Sequence, residues 1–291
     1  MASDYPEDSF EIDLVPAEGE GGFHTKNNPQ QPFQRSTVHE DRRALAIKCS
    51  LIDVIHGHWC QDGDDDDYYA TLLVLDFRFD AGNKPGRRIK SAKITVTFYG
   101  ESDDDDHPGV GNISLNGSYS LLPTTQSETI TNGLIATAGA NVLSTGQLSL
   151  EKNYSKTISR ETSDATYISG ATCLIGVEWD PANAVEWKLQ ENATLKTGLP
   201  AAFRAGILLK RESMDNFKCA VDIESEVDLK TNVGRWFGGK PKDDPVLFKP
   251  TLKPTNRLMQ YDTNNLGKFD MSLVEDVTFT TVFDKAVKHL N

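Results

Sequence analysis

Residues 70–100 decide the fold that the sequence predicts. They read ATLLVLDFRFD (70–80), AGNKPGR (81–87) and RIKSAKITVTFYG (88–100). In the two outer segments, apolar residues alternate with polar ones, and β-branched and aromatic residues are frequent. This period of two, interrupted by a run that contains Gly82, Pro85 and Gly86, is typical of two strands joined by a turn. The stretch therefore predicts a β-hairpin at the centre of the chain.

Segments with the same alternation recur along the chain after residue 43. The clearest is FKCAVDIESEVDL (217–229), where apolar and charged residues alternate over thirteen positions. Further strands are predicted at 44–56, 110–119, 184–192 and within 201–212. The pattern contains about ten strands and little helix. It predicts an all-β fold, an antiparallel β-sandwich of two sheets.

The length of 291 residues allows one large domain or two small ones, and all-β domains of this size are commonly single units. Residues 1–40 are polar, acidic at the start and rich in Gly, Pro, Asn and Gln. Such a segment has too little apolar surface to offset its ordering entropy, so it is predicted to be a disordered tail. Residues 41–291 are predicted to form a single β-sandwich domain.

The net charge of −13 is concentrated in three places. The first twenty residues contain seven acids and no base, and 64–67 and 103–106 are runs of four aspartates. These fifteen acids outnumber the net charge, so the rest of the chain is close to neutral. A surface of this kind disfavours sequence-independent binding of nucleic acid, which needs basic residues to displace phosphate counterions.

Cellular location is predicted from what the sequence lacks. No apolar run is long enough to span a membrane as a helix, and the first residues have neither the basic nor the apolar part of an export signal. The four cysteines are scattered, which favours free thiols over a disulfide framework. The chain is therefore expected to be cytoplasmic.

The acidic runs suggest a metal site. If 44–56, 70–80 and 88–99 form an antiparallel meander, the loops that hold both runs leave the sheet at the same end. Ca²⁺ prefers six to eight oxygen ligands, whereas Zn²⁺ is held by nitrogen and sulfur. The spacing matches no established motif, and solvated loop tips that keep the protein soluble are the alternative. The predicted ligands are His56, His58, Cys60, Asp62, Asp64, Asp65, Asp104, Asp105 and His107.

Residues 147–175 suggest a second kind of function. The segment is mostly polar and contains two stretches in which small residues alternate with larger ones. Alternation without a strong apolar signal is typical of a β-hairpin that inserts into a membrane. It is equally typical of a solvated sheet.

No catalytic residues are predicted. The sequence has no G-x-S-x-G nucleophile elbow, and no glycine-rich phosphate loop lies between a predicted strand and a helix. The residues that suggest a carbohydrate site, lectin or hydrolase, are Glu178, Glu186 and Glu191 near Trp179 and Trp187, because carboxylates and aromatic rings both bind sugars. Buried core tryptophans are the alternative.

Several segments resemble a group of predicted proteins from filamentous ascomycete fungi. The segments occur in the same order over about residues 43–288, and they include LLVLDFRFD, RIKSAKITVTF, VEWKLQEN, TGLPAAFRAGILLKR and PKDDPVLF. The resemblance implies a fungal, intracellular, mostly-β protein. It implies no activity and no site residue.

The expected function is that of a non-enzymatic intracellular binding or structural protein, which uses loops at one end of the sandwich with a divalent cation, Ca²⁺ or Zn²⁺. Its partner is expected to be a protein or a glycan. One alternative is a membrane-active, pore-forming-like protein that uses 147–175. The other is a carbohydrate-binding or glycoside-active protein.

Overall fold

The computed structural model describes residues 24–42, 46–60, 68–80, 88–102, 106–132, 156–228 and 243–279. Within these ranges the chain forms twelve strands and two short 3₁₀ helices, and it contains no α-helix. The strands are β1 Thr37–Arg42, β2 Ala46–His58, β3 Tyr69–Asp80, β4 Arg88–Gly100, β5 Gly109–Ile113, β6 Gly117–Asn132, β7 Lys156–Cys173, β8 Ala184–Gln190, β9 Ala202–Arg211, β10 Phe217–Asp228, β11 Val246–Phe248 and β12 Asp276–Thr278. The 3₁₀ helices are Leu266–Lys268 and Met271–Leu273.

The strands form two antiparallel sheets of six. Sheet A has the order β1-β2-β3-β9-β12, and β5 also pairs with β9. Sheet B has the order β11-β10-β4-β8-β7-β6. One cluster of buried apolar side chains contains residues from both sheets, so their inner faces pack against each other. The predicted all-β sandwich is therefore confirmed, and β8 and β10 lie where the sequence placed strands.

The β-hairpin predicted for residues 70–100 is not formed. β3 pairs with β2 and β9 in sheet A, whereas β4 pairs with β8 and β10 in sheet B. The meander of 44–56, 70–80 and 88–99 is wrong for the same reason, since its third strand lies in the other sheet. Alternation specifies which residues of a strand face the core but not which strand lies beside it. Here the chain crosses from one sheet to the other between β3 and β4.

An aromatic cluster forms the centre of the sandwich. The Trp187 ring lies 6.2 Å from Phe77 and 5.8 Å from Phe203, and Phe77 stacks on Phe203 at 5.6 Å. The Trp187 indole N–H donates to the Ser114 carbonyl at 3.2 Å, which satisfies its one polar atom. This cluster joins β8 of sheet B to β3 and β9 of sheet A and fixes their relative position.

The outer face of sheet A is covered by the chain that follows β11. Leu72 and Val74 of β3 and Leu208 of β9 pack there against Leu266 and Val274. β3 is therefore buried on both faces, which explains its almost uninterrupted apolar sequence.

The segment before β1 lies against the sandwich, although the sequence assigned residues 1–40 to a tail. Phe33 forms a parallel bridge with Leu247 of β11, and β1 begins at Thr37. Residues 1–23 lie outside the described part of the chain. The ordered segment from residue 24 onward thus links an edge of sheet A to an edge of sheet B.

Arg35 holds this segment in place. Its Nε donates to the Thr37 carbonyl at 3.0 Å, and its Nη atoms donate to the Val38 and Pro245 carbonyls, each at 3.2 Å. It also donates to the Asp244 carbonyl. Backbone carbonyls from both sheet edges thus satisfy one guanidinium. Short polar stretches of this kind carry no periodic signal, which is why the sequence did not predict the contact.

Candidate functional site

The longest paired element in the described chain is formed by β6 and β7. Their register runs from Gly117 opposite Gly170 to Asn132 opposite Lys156. β8 pairs with β7 only over 167–173. Beyond that point, residues 124–132 and 156–164 pair with each other and with no third described strand. We call this two-stranded extension the ribbon.

The ribbon differs from the rest of the sheet because its two strands pair only with each other among the described strands. Nine residue pairs at about 3.4 Å each give it a length of about 30 Å. An isolated two-stranded hairpin is at best marginally stable in water, because it has no third strand and no packed face. The ribbon is therefore the part of the described sheet that gains most from a new partner or a new environment.

The register assigns the ribbon residues to two faces of different composition. Successive residues of a strand point to opposite faces, and directly opposed residues share one. One face holds charged and larger residues, and the other holds small hydroxyl residues with Glu161 as an exception. The pairs on the first face are Gln126–Thr162, Glu128–Arg160, Ile130–Ile158 and Asn132–Lys156, and those on the second are Thr125–Ser163, Ser127–Glu161, Thr129–Ser159 and Thr131–Thr157.

The position of the ribbon corrects the hairpin predicted at 147–175. Residues 147–155 lie outside the described chain, and 156–173 form one continuous strand without a turn. The partner strand is β6, and only its first three residues fall within the strand predicted at 110–119. The alternation of the second strand was recognised, but its partner lies some forty residues earlier in the sequence.

A groove of about 740 Å³ lies at the opposite end of the sandwich from the ribbon. Its lining includes Tyr68, which follows the first aspartate run, Asp106, which is the last residue of the second run, and His107. Tyr68 and Asp106 therefore line the same groove, although the predicted meander that would have brought the two loops together is not formed. The Lys210 ammonium, also in the lining, sits 3.9 Å from the centre of the Tyr68 ring.

The predicted metal ligands fall into two sets. Asp62, Asp64, Asp65, Asp104 and Asp105 lie outside the described residues. Among the described residues no group of three His, Cys, Asp or Glu side chains is close enough to hold an ion. His58 packs its ring against Tyr69, Cys60 is a half-buried free thiol, and His107 lines the groove. The metal site stays a prediction.

His56 lies inside the protein rather than in an open loop. The Gln34 amide nitrogen lies 2.7 Å from its Nε2, and its Nδ1 lies 2.9 Å from Thr71 Oγ1. Arg211 donates to the same hydroxyl at 3.0 Å. Because an amide nitrogen only donates, the imidazole accepts at Nε2 and carries its proton on Nδ1. Burial, with the nearby Arg211 charge, lowers the pKa of His56 to about 3.

This network leads to a prediction about pH. The unfolded chain binds a proton at His56 as the pH falls below about 6.5, whereas the folded protein does so only near pH 3. Stability is therefore lost as the pH falls through that window, by up to about 1.4 kcal/mol per pH unit. We expect His56→Gln to flatten this dependence in urea unfolding between pH 6.5 and pH 4. His58→Gln is the control, and a wild-type slope in His56→Gln would contradict the assignment.

The predicted carbohydrate residues do not come together. Trp187 is buried in the core, Glu186 pairs with Lys93 at 2.9 Å, and Glu191 pairs with Arg88 at 2.9 Å. Neighbouring residues of β8 point to opposite faces, which separates Trp187 from Glu186. Trp179 is 74% exposed in the loop between β7 and β8, beside the exposed Glu178. The five residues therefore do not form one site, and Trp187 takes the core position that was the alternative to a sugar site.

No helix in the described ranges combines the length and the hydropathy needed to cross a membrane. No protein-family model matches the sequence, and no curated protein matches it. Among solved structures, the chain is similar to the Clostridium perfringens NetB toxin in its membrane-inserted form. The sequence identity is 8%, the TM-score is 0.26, and the match covers 63% of this chain and 78% of the toxin chain.

This comparison corrects the expected function. The main expectation was a non-enzymatic intracellular binding or structural protein, whereas the match is to a toxin in its membrane-inserted form. A likeness with a TM-score of 0.26 carries no argument about this chain, so the geometry of the ribbon has to support any membrane function.

Proposed function

We propose that this protein is a membrane-active, pore-forming-like protein and that the ribbon is the part that enters the bilayer. The observation that carries the proposal is the extension of β6 and β7 beyond the six-stranded sheet, where the described chain offers them no further partner. A hairpin in this position can change its surroundings without breaking the core of the sandwich.

The length of the ribbon supports insertion. A strand that crosses a membrane needs about 9–11 residues, and the hydrocarbon core of a bilayer is about 30 Å thick. Each ribbon strand contributes nine paired residues. The residues that join them, 133–155, contain no charged residue before Glu151 and read GLIATAGANVLSTGQLSL over 133–150. Small and apolar residues lower the cost of moving this segment across a bilayer.

The composition of the two ribbon faces also supports insertion. Membrane-spanning strands alternate between residues that face lipid and residues that face water. The face of small hydroxyl residues has the lower desolvation cost and is assigned to lipid. The face that pairs Glu128 with Arg160 is assigned to water. Glu161 departs from this pattern, and its opposed residue is Ser127.

Release of a trapped dye from phosphatidylcholine vesicles tests the proposed function. We expect the full chain to release the dye at micromolar concentration, because a membrane-inserted ribbon opens a polar path through the hydrocarbon. Absence of release at that concentration would contradict the proposal. Vesicles treated with heat-unfolded protein control for non-specific disruption.

Other expectations remain predictions beside this proposal. These are the cytoplasmic location, the fungal origin suggested by the sequence resemblance, and a Ca²⁺ or Zn²⁺ site near the groove. Thermal melting with and without Ca²⁺ or Zn²⁺ tests the metal site, because an ion that binds only the native state raises the melting temperature.

A further inference from the structure

The point at which the ribbon leaves the sheet is irregular. Leu121 is opposite Thr166 and Thr124 is opposite Asp164, so two residues of β6 face the single residue Ala165 of β7. This is a β-bulge, which leaves a residue unpaired, bends the strand and increases its twist. The regular ladder is thus interrupted where the ribbon begins.

The two bulge residues weaken this junction further. Leu122 has a positive φ of 50° and is 57% exposed. A side chain other than glycine is strained there, and strain of this kind concentrates at regions that change conformation. Pro123 has no N–H and donates nothing to the ladder. On its other side, β7 loses its partner strand near the same point, since its pairing with β8 ends at Tyr167 opposite Gln190.

One side chain bridges this junction. The Asp164 carboxylate accepts from the Ala165 N–H at 2.8 Å and from the Thr194 N–H at 2.8 Å. Partial burial raises its pKa, but the hydrogen bonds from Thr194 and Ala165 outweigh this effect and lower it. The carboxylate is therefore charged at neutral pH, and it ties the ribbon to the loop between β8 and β9.

The loop that receives this contact is itself well anchored. The Asn192 side chain accepts from the N–H groups of Thr194 and Leu195 at 3.0 and 2.9 Å, and its carbonyl accepts from Lys196 at 2.8 Å. The next residue back, Glu191, is fixed to Arg88. The loop thus provides a fixed point on the sandwich against which the ribbon is held.

We propose that the Leu122–Pro123 bulge is the hinge on which the ribbon moves and that Asp164, through Thr194, is the clamp that fixes the base of the ribbon to the sandwich before insertion. This inference rests on the proposed function, because the clamp matters only if the ribbon inserts. The spin-label distances that test the clamp are measured without a membrane. Loss of the clamp makes the ribbon mobile in solution and increases the rate at which it enters a bilayer.

The test compares Asp164→Ala and Asp164→Asn with the wild type. Asp270→Asn is the matched control, since this carboxylate also accepts a backbone N–H, from Ser272 at 3.0 Å, but far from the ribbon. Spin labels at Thr129→Cys and Gln190→Cys, in a chain whose accessible cysteines are replaced by serine, report the position of the ribbon. Eight residues along the strands separate the two labels, or about 27 Å.

We expect one narrow distance distribution in the wild type and in Asp270→Asn. It should broaden in Asp164→Ala and broaden less in Asp164→Asn, which keeps one acceptor oxygen. Dye release from phosphatidylcholine vesicles should be about ten-fold faster for Asp164→Ala, as loss of a charge-assisted hydrogen bond implies. If Asp164→Ala does not fold, Asp164→Asn gives the same comparison.

Each contrary result overturns a defined part of the account. If the spin-label distance distribution in Asp164→Ala is as narrow as in the wild type, the clamp is contradicted, regardless of the rate of dye release. A broader distribution with an unchanged rate of release overturns its role in limiting insertion. If the distribution broadens while no protein, wild type included, releases dye, the clamp stands and the proposed function is overturned.

Discussion

Asp53→Ala is expected to lower the free energy of unfolding by about 4 kcal/mol. The Asp53 carboxylate is fully buried and accepts four hydrogen bonds: from Thr255 Oγ1 at 2.6 Å, the Arg257 N–H at 2.7 Å, the Leu258 N–H at 2.9 Å and the Tyr261 hydroxyl at 2.9 Å. Removing it leaves these donors without a partner next to an apolar surface. This side chain therefore anchors the start of the segment that covers sheet A, in addition to the apolar packing of that segment.

Urea unfolding measures this loss. Asp262→Ala is the control because this exposed carboxylate accepts hydrogen bonds from its own turn, from the Asn264 N–H at 3.0 Å and the Asn265 side-chain amide at 3.3 Å. We expect Asp262→Ala to change the stability by less than about 0.5 kcal/mol, as surface substitutions usually do. A similarly small change in Asp53→Ala would show that apolar packing alone holds the cover.

Asp53 and His56 should act in different pH windows. Burial raises the pKa of Asp53, but the hydrogen bonds from Thr255, Arg257, Leu258 and Tyr261 outweigh this effect and lower it below its ordinary value of 3.8. Its contribution to stability is therefore complete above that value and is lost only as the pH falls further. The His56 contribution already declines from about pH 6.5.

Thr129→Arg is expected to reduce the rate of dye release from phosphatidylcholine vesicles by at least about 30-fold. Thr129 lies on the ribbon face assigned to lipid, and an arginine at the midplane of a bilayer costs about 2–4 kcal/mol on a lipid-facing strand. Gln126→Arg adds the same charge three residues away, on the face assigned to water. It should leave the rate within about three-fold of the wild type.

The pair of variants separates insertion from general damage to the protein. Equal losses in Thr129→Arg and Gln126→Arg would contradict the assignment of two different faces. A lower rate of dye release in Gln126→Arg alone would show that the face of Gln126, and not that of Thr129, faces lipid. The melting temperatures of the two variants, measured without vesicles, are expected to agree, because both residues lie in the ribbon, which pairs with no third described strand.

The sequence predicted the fold class from features that depend on neighbouring residues alone. Alternation identified β8 and β10, and the apolar residues of β3 and β4 marked both as core strands. The pairing of β3 with β4 failed because turn residues such as Gly82 and Pro85 also suit a connection that passes from one sheet to another. Burial of β3 on both faces depends on Asp53 and a segment 200 residues later, which no local pattern reveals.

The candidate site could be predicted only in part. The polar alternation of β7 pointed to a solvated or membrane-inserted strand, but the strand predicted before it stops at residue 119, short of Pro123. In the structure it belongs to a bulge within β6. His56 occupies a strand position whose neighbours Thr71 and Arg211 come from other strands. A histidine sequence pattern therefore cannot distinguish a metal ligand from a buried hydrogen-bonded ring.

The most direct test of the central claim is the environment of single ribbon residues in the presence of membranes. An environment-sensitive fluorophore attached at Thr129→Cys should shift its emission to the blue when phosphatidylcholine vesicles are added, and lipid-borne quenchers should reduce it. The same fluorophore at Gln126→Cys should keep the emission of an aqueous environment. If both positions retain aqueous emission with vesicles present, the ribbon does not enter the bilayer and the proposed function is wrong.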